Sequence, residues 1–301
     1  MTQYSLCLDV GGTFIKGATF PKVSGQDYYA IQYFDAKSDQ DAATIMTNFQ
    51  QLLLELADSI DDPVASIVEV AMAFPGPFDY KNGIPLLEGL NKYGSLYQQP
   101  FGKNLAFMMA EDSRFAETRY RFVNDAVAFA VGEHSLSQKK TGAYFTIGTG
   151  FGSTFISVNT IVKGKYGIPD SGMVYAIQMK DSILDDYLSA RGIERLANQY
   201  FIEPLSVKEL SNQARAGVKD AQAVFEEFGT LLWDGIGSII NEFRPQVICF
   251  GGQISKSADL FLDQVKHNAP EGTKVIISKD TSYSVLRGLS TLGQYKKGEN
   301  Q

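Results

Sequence analysis

The chain has 301 residues, enough for two α/β domains or one large one, and its composition (44% hydrophobic, 20% charged) is that of an ordinary globular protein. Its formal net charge is −7 and it has no basic stripe to neutralise phosphates, so we expect no nucleic-acid partner. No segment approaches the roughly 20 apolar residues that a membrane-spanning helix needs, so we expect no membrane partner.

The cysteine and histidine content sets further bounds. Cys7 and Cys249 both lie in apolar, strand-like runs, which predicts small core residues in a reducing compartment rather than a disulfide. With two cysteines and two histidines, the chain cannot assemble the usual Cys-rich zinc site. Asp9 and Lys16 interrupt the N-terminal apolar run before it reaches the length of a signal peptide, so we expect a cytoplasmic protein.

The first third of the chain predicts the order β-β-β-α-β. Alternating or mostly apolar runs predict strands at 4–10, 15–20, 28–34 and 67–74. An apolar stripe predicts a helix over about 39–60, with Ser38 or Asp39 as its cap.

The remainder continues as alternating strands and helices. Strands are predicted at 121–123, 142–147, 153–158, 161–163, 247–250 and 274–277, and helices at 126–136, 182–200, 207–216, 220–243 and 284–295. This order favours a doubly wound α/β architecture with a cleft between two lobes. The predicted lobes are residues 1–118, with a C-terminal helix at about 285–301, and residues 119–284.

Three strand ends carry paired or alternating glycines. We call them the first, second and third glycine turns, and their candidate phosphate- or nucleotide-binding residues are Gly11, Gly12 and Thr13; Gly148, Thr149, Gly150 and Gly152; and Gly251 and Gly252. Because glycine has no Cβ, backbone N–H groups there can approach an anion closely. One such turn is weak evidence, but three suggest a polyphosphate held between two lobes. For the third turn, a tight strand-to-helix connection is an equally good interpretation.

Two familiar nucleotide-binding motifs are rejected. Residues 12–19 match the outer glycine spacing of a Walker loop, but Ala18 occupies the position of the required lysine. The second glycine turn has G-x-G-x-G spacing and continues as a strand, whereas a dinucleotide-binding turn opens a helix.

Asp9 and Lys16 flank the first glycine turn. A carboxylate at this place can hold Mg²⁺ directly or through water, although Asp also commonly serves turns structurally. Lys16 can reach the same phosphates, or it is a solvated strand lysine. We predict Asp9 as the Mg²⁺ residue and Lys16 as a phosphate-binding cation.

Asn124 and Asp125 lie where a strand ends and a helix begins. Both residue types are favoured as helix N-caps, which is the structural interpretation. In the functional interpretation, Asp125 is a general base that accepts a proton from a substrate hydroxyl, as in enzymes that phosphorylate alcohols. Asn124 then hydrogen-bonds neighbouring hydroxyls.

These motifs, in this order, resemble the ROK sugar kinases of the actin/hexokinase-like superfamily. The matching segments are the first glycine turn with Asp9 (first phosphate motif), 74–79 (a Pro-Gly-Pro sugar-side turn that contains Gly76), 124–126 with 132–133 (catalytic segment), 146–152 (second phosphate motif), 162–167 behind it, and 251–255 (adenosine motif). The resemblance implies two ribonuclease H-like lobes, ATP and Mg²⁺ as cofactors, Asp125 as the base and a homodimer.

The chain also departs from that family. Residues 171–177 supply neither the Glu nor the His of the family's Gly-Glu-x-Gly-His element, and the zinc-loop cysteines are missing. Residues 184–189 resemble the family's Leu-Glu-x-Tyr-x-Ser, which implies that Asp185 is a sugar-binding carboxylate, one methylene shorter. Asn91 falls in the segment that lines the sugar site of relatives.

Three hypotheses follow. The first is an ATP-dependent carbohydrate kinase that phosphorylates a hydroxyl of a hexose, an amino sugar or a β-glucoside. The second is a catalytically weak protein that senses a sugar or a nucleotide, because the Glu/His pair is missing. The third, a phosphotransferase or hydrolase acting on a non-sugar acceptor, is disfavoured by the Pro-Gly-Pro and Asn-Asp segments.

Overall fold

The structure is a computed structural model that describes residues 2–22, 30–88 and 92–297. Its strands are β1 (Gln3–Val10), β2 (Phe14–Pro21), β3 (Gln32–Asp35), β4 (Ser66–Ala73), β5 (Phe78–Asp79), β6 (Ile84–Pro85), β7 (Arg119–Val123), β8 (Thr141–Ile147), β9 (Phe151–Ser157), β10 (Thr160–Ile161), β11 (Gln178–Met179), β12 (Ser182–Ile183), β13 (Val247–Gly251), β14 (Lys274–Ile277) and β15 (Lys296–Lys297).

The α-helices follow the predicted pattern in most of the chain. They are α1 (Ala42–Asp58), α2 (Phe101–Met109), α3 (Asp125–Ser137), α4 (Leu184–Tyr187), α5 (Ala190–Ala197), α6 (Val207–Arg215), α7 (Lys219–Phe243), α8 (Asp263–Asn268) and α9 (Thr281–Thr291). Across the described residues, no helix is both long enough and apolar enough to cross a bilayer.

The chain divides into two compact units, Met1–Gly132 with Ser282–Gly293, and Glu133–Thr281 with Gln294–Gln301. The first unit contains a five-stranded sheet in the order β3-β2-β1-β4-β7, and the main sheet of the second has the order β14-β13-β8-β9-β10-β15. Strand β7 is parallel to β4. The boundary predicted at 118 falls just before β7. In the structure, β7 pairs with β4 and so belongs to the sheet of the first unit.

Each unit has its own apolar core. In the first, buried residues of β1 and β4 pack against α1 and α2, with Phe49 and Phe101 at 5.0 Å between ring centroids. In the second, buried residues of β8 and β13 pack against α7, the long helix that the sequence predicts almost to the residue. Helix α7 ends at Phe243, and Arg244, whose backbone is left-handed, follows it directly before Pro245.

Two local predictions are wrong. The N-cap of α1 is Asp41, whose carboxylate accepts a hydrogen bond from Thr44 N at 3.0 Å, and neither Ser38 nor Asp39 caps the helix. The single helix expected over 182–200 is two helices, α4 and α5, because Ser189 between them is extended.

The close crossing of α3 and α9 gives a structural reason for Gly132, one of the residues on which the family resemblance rests. A Cβ on Gly132 would lie 1.8 Å from the carbonyl oxygen of Ser284, and one on Gly288 would lie 1.8 Å from that of Ala128. The two helices therefore touch through their backbones, and Gly132 serves packing within the first unit.

Candidate active site

The first glycine turn is supported from behind by two hydroxyl groups. The buried Tyr93 hydroxyl donates to the carbonyl oxygen of Gly11 at 2.8 Å, and the Ser38 hydroxyl donates to that of Gly12 at 2.5 Å. Tyr93 and Ser38 form one support, because Tyr93 N donates to Ser38 O. In a trans peptide, the carbonyl and the next N–H point in opposite directions. The N–H groups of Gly12 and Thr13 therefore point away from this support.

The front of the first turn is therefore equipped to bind an anion. Among the residues described, none accepts a hydrogen bond from the N–H groups of Gly12 and Thr13. Adjacent N–H groups turned to one side form the kind of backbone nest that binds phosphate. A separate surface pocket of about 330 Å³ borders Gly12 and Thr13 on the side of Ser38, and its other lining residues are Asp35, Lys37, Asp39 and Lys92.

Asp9 and Lys16 are opposite each other on β1 and β2. The Nζ atom of Lys16 lies 3.2 Å from Asp9 Oδ2, and it donates to the hydroxyl of Ser282 at 2.6 Å. Lys16 is thus held beside Asp9 and the first turn of α9. Its ammonium is partly open to solvent, and it adds a positive charge next to the first glycine turn.

Asp125 is the first residue of α3 and follows the end of β7. The residue is exposed to solvent, but neighbouring protein groups reduce the hydration of its carboxyl. Burial and, secondly, repulsion from Asp9 raise the pKa of its carboxyl to about 6, while the hydrogen bond from Ala126 N opposes the rise. A carboxylate that is accessible and titrates near neutral pH is suited to accept a proton from a substrate.

Asn124 links Asp125 to the Pro-Gly-Pro turn. Its Oδ1 atom accepts from Ala126 N at 2.9 Å, which is the capping role, while its Nδ2 donates to the Tyr80 hydroxyl at 3.2 Å. A Cβ on Gly76 would lie 3.3 Å from that hydroxyl and 3.9 Å from Asn124 Nδ2. The first unit thus brings together Gly76, Asn124 and Asp125, three of the predicted substrate residues.

The second glycine turn connects β8 and β9. Gly148 N donates to Gly150 O at 3.0 Å, and Ala190 N, at the start of α5, donates to Gly148 O at 2.9 Å. By the same trans-peptide geometry, the N–H of Thr149 points away from α5. A Cβ on Gly148 would meet no atom within 4 Å, so the turn is open on that side. Gly152 lies in β9 and pairs with Thr146 of β8.

Asp185 contacts the second glycine turn directly. Its Oδ1 atom accepts a hydrogen bond from Phe151 N at 2.6 Å, and its Oδ2 lies 2.6 Å from Nη2 of Arg191. Donors of the protein thus engage both oxygens of the carboxylate that the resemblance assigns to the sugar.

The third glycine turn packs against the start of the second. Gly251 ends β13, and Gly252 has a left-handed backbone with φ of 89°. A Cβ on Gly252 would lie 2.3 Å from the carbonyl oxygen of Ile147, the residue before Gly148. Gly252 N donates to the Thr281 hydroxyl at 3.0 Å. The second unit therefore brings the predicted residues of the second and third turns to one end of the β8–β13 pair.

Three further points concern Asn91, metal-binding clusters and the two cysteines. Asn91 lies outside the described residues. Within the described ranges, no cluster of three or more His, Cys, Asp and Glu side chains is arranged to hold a metal ion. Cys7 and Cys249 are both buried and free, and burial raises the pKa of each thiol.

Sequence reasoning missed the supporting residues. Ser38, Tyr80, Tyr93 and Arg191 act on the turns or on Asn124 and Asp185 from other parts of the chain. Hydrophobic periodicity carries no information about such contacts. Ser38 did carry a partial signal, because it is a polar residue just ahead of a helix. That signal indicated a helix cap and not a contact with Gly12.

Comparison with known proteins settles the family. Residues 5–280 match the ROK family.

The chain belongs to the ROK family.

The recognition made from the motifs is confirmed.

Among curated relatives, N-acetyl-D-glucosamine kinase of Haemophilus influenzae (strain 86-028NP) is 25% identical over 270 residues, covering 82% of this chain and 83% of the relative. Glucokinase of Halalkalibacterium halodurans (strain ATCC BAA-125) is 24% identical over 292 residues, covering 87% and 83%.

Solved structures confirm the predicted actin/hexokinase-like fold. ROK hexokinase from Thermus thermophilus has a TM-score of 0.75 at 18% identity and covers 96% of this chain and 97% of its own. A ROK family glucokinase from Streptomyces griseus, solved with glucose and AMPPNP, has a TM-score of 0.71 at 18% identity, covering 96% and 98%. At these identities the likeness establishes the fold.

Proposed function

We propose that this protein is an ATP-dependent sugar kinase that transfers the γ-phosphoryl group to a hydroxyl of a hexose, an amino sugar or a β-glucoside. The observation that carries the proposal is Asp125, an accessible carboxyl with a pKa of about 6 placed beside Asn124 and the Pro-Gly-Pro turn. Membership of the ROK family and curated relatives named as N-acetyl-D-glucosamine kinases and a glucokinase support it.

The proposed functional residues form two sets, one that contacts the sugar acceptor and one that contacts phosphate oxygens. Asp125 accepts the proton of the attacking hydroxyl, and the remaining N–H of Asn124 Nδ2 hydrogen-bonds a neighbouring sugar hydroxyl. In the first unit, the outward N–H groups of Gly12 and Thr13 bind phosphate oxygens. In the second unit, the outward N–H of Thr149 makes the second glycine turn a phosphate-binding turn of its own. Phosphoryl transfer depends mainly on such positioning and charge neutralisation, with little covalent chemistry for the protein.

Mg²⁺ fits the donor set beside the first glycine turn. It is commonly bound by one or two carboxylates together with substrate phosphates, and Asp9 supplies a carboxylate close enough to Asp125 to raise its pKa. When bound, the ion neutralises charge on the transferring phosphoryl group. Asp9 is its proposed residue, and Lys16 contributes a second positive charge.

The test is a coupled assay of ADP release with ATP, Mg²⁺ and a panel of glucose, N-acetylglucosamine, N-acetylmannosamine and β-glucosides. We expect turnover with at least one sugar, and a loss of about 10²–10⁴-fold in kcat for Asp125→Asn, the usual contribution of a general base. Asp61→Asn, an exposed change of the same charge in the same unit, is the control and should retain activity.

The sensing hypothesis has its own outcome in that assay. It is motivated by residues 171–177, which contain neither Glu nor His. Thermal stabilisation by a sugar with no ADP release from any member of the panel would favour the sensor and contradict the kinase. The homodimer stays a prediction, which sedimentation of the purified protein would check.

A further inference from the structure

Asp185 is placed to act on the second glycine turn. It lies in α4, and its main-chain N donates to Tyr175 O at 3.0 Å, which fixes the base of its side chain. From there, Oδ1 reaches Phe151 N at 2.6 Å. A Cβ on Gly150 would lie 2.9 Å from the same oxygen, so glycine at 150 is what allows the carboxylate to sit under the turn.

The hydrogen bond from Phe151 fixes a peptide plane of the turn. Because the Gly150–Phe151 peptide is trans, its N–H points to Asp185 and its carbonyl points the opposite way, where it accepts from Gly148 N. Hydrogen bonds therefore fix both the N–H and the carbonyl of this peptide. Ala190 N holds the carbonyl of Gly148 in addition, which leaves the N–H of Thr149 directed outward.

Arg191 keeps the carboxylate in this orientation. Its Nη2 atom lies 2.6 Å from Oδ2 of Asp185 and 3.6 Å from Oδ1 of Asp186. The Asp185 side chain is 22% exposed, whereas that of Arg191 is 55% exposed. The pair therefore turns the carboxylate towards the protein and leaves the guanidinium facing solvent.

We infer that Asp185 is a positioning residue for the nucleotide phosphates rather than a ligand of the sugar. Its carboxylate holds the second glycine turn in the shape that presents the N–H of Thr149 to a phosphate. This inference rests on the proposed function of the second turn.

The test separates nucleotide affinity from sugar affinity. Binding of AMPPNP with Mg²⁺ is measured by titration calorimetry for the wild-type protein, Asp185→Ala and Asp185→Asn. We expect AMPPNP to bind about tenfold more weakly to Asp185→Ala, since the charged acceptor of a buried N–H is lost. Asn still offers an oxygen to Phe151 N, so Asp185→Asn should be intermediate. In both variants, the KM for the sugar that the protein phosphorylates should change less than twofold.

Asp186→Asn is the matched control, because it removes the same charge from the adjacent residue, which also lies near Arg191. It should leave AMPPNP affinity within about twofold of wild type. AMPPNP affinity of Asp185→Ala within about twofold of wild type would overturn the inference, and a raised sugar KM in the same variant would restore the sugar role. If Asp185→Ala does not fold, Asp185→Asn decides alone. Failure of the wild-type protein to bind AMPPNP would overturn the proposed function, and the inference with it.

Discussion

The first and second glycine turns present backbone N–H groups in the same way but are supported by different chemistry. Behind the first, two uncharged hydroxyls, from Tyr93 and Ser38, bind the carbonyls of Gly11 and Gly12. Behind the second, a backbone N–H binds the carbonyl of Gly148, and the carboxylate of Asp185 binds an N–H. Fixing the carbonyls of a turn on one side is therefore sufficient to direct its N–H groups to the other, whatever the donor.

The difference in chemistry implies a difference in response to conditions. A buried neutral hydrogen bond is insensitive to salt, whereas a half-exposed ion pair such as that of Asp185 and Arg191 is screened by it. The support of the first turn also comes from far along the chain, because 82 residues separate Tyr93 from Gly11. The second turn is likewise supported from a distance, because 34 residues separate Asp185 from Phe151.

The largest difference between the turns should come from adding one methyl group to each. In Gly11→Ala, the new Cβ would lie 2.7 Å from the backbone oxygen of Phe14, which cannot move without opening the turn. We expect a loss of about 1–3 kcal/mol in the free energy of unfolding. In Gly148→Ala, the Cβ meets nothing within 4 Å, so the change should be within about 0.5 kcal/mol. Urea denaturation of both variants measures this, and equal losses would contradict the contrast.

Removing the hydroxyl behind the first turn should have the next largest effect. Tyr93→Phe leaves the carbonyl of Gly11 without this donor in a buried place, which should cost about 1–2 kcal/mol in unfolding free energy and weaken AMPPNP binding. Tyr97→Phe is the control, because it removes a more exposed hydroxyl from the same segment.

The salt dependence of two variants, Tyr93→Phe and Asp185→Asn, tests whether the supports of the two turns differ in charge. The loss caused by Tyr93→Phe should be the same at 0.05 M and 0.5 M NaCl, whereas the loss of AMPPNP affinity in Asp185→Asn, measured against wild type at each concentration, should shrink at the higher one. A salt-dependent effect of Tyr93→Phe on the free energy of unfolding would show that the two supports do not differ as described.

The sequence predicts most strands of the two main sheets, the long helices and the positions of the glycine turns, because these follow from local periodicity and from the conformational freedom of glycine. The two-residue strands β5, β6, β11, β12 and β15 are too short to show a periodicity and are not predicted. Helix α7 and strand β14 are predicted to within one residue. The family is predicted because the motifs occur in order along the chain.

The supports of the turns could not be predicted in the same way. Ser38 is predicted as a helix cap, since nothing local shows that its hydroxyl reaches Gly12, 26 residues away. Asp185 is predicted as a sugar ligand by resemblance, and the single missing methylene gave no sign of the contact with Phe151. Such side-chain contacts depend on how distant elements pack, which a residue pattern does not encode.

The smallest expected effect comes from charge beside the first turn, where burial and the Asp9 carboxylate raise the pKa of Asp125 from 3.8 to about 6. The folded protein thus disfavours the ionised form, and stability from this residue is lost as the pH rises from about 4 to 6. Because Asp125 is exposed and solvent screens its charge, the gain from Asp125→Asn should be small: a slightly higher Tm at pH 7.5 and no change near pH 4. Thermal unfolding across this range measures the difference.

The same pKa sets the acid side of the activity profile, because a general base must be ionised to accept a proton. We expect kcat/KM to fall below a pH of about 6, and Asp9→Asn, which removes one cause of the shift, to move this limb to lower pH in its residual activity. His267→Gln is the control for histidine titration and should leave the limb in place. The other histidine, His134, is buried, which lowers its pKa to about 4. A wild-type limb near pH 4, the range of an ordinary aspartate, would contradict the raised pKa of Asp125.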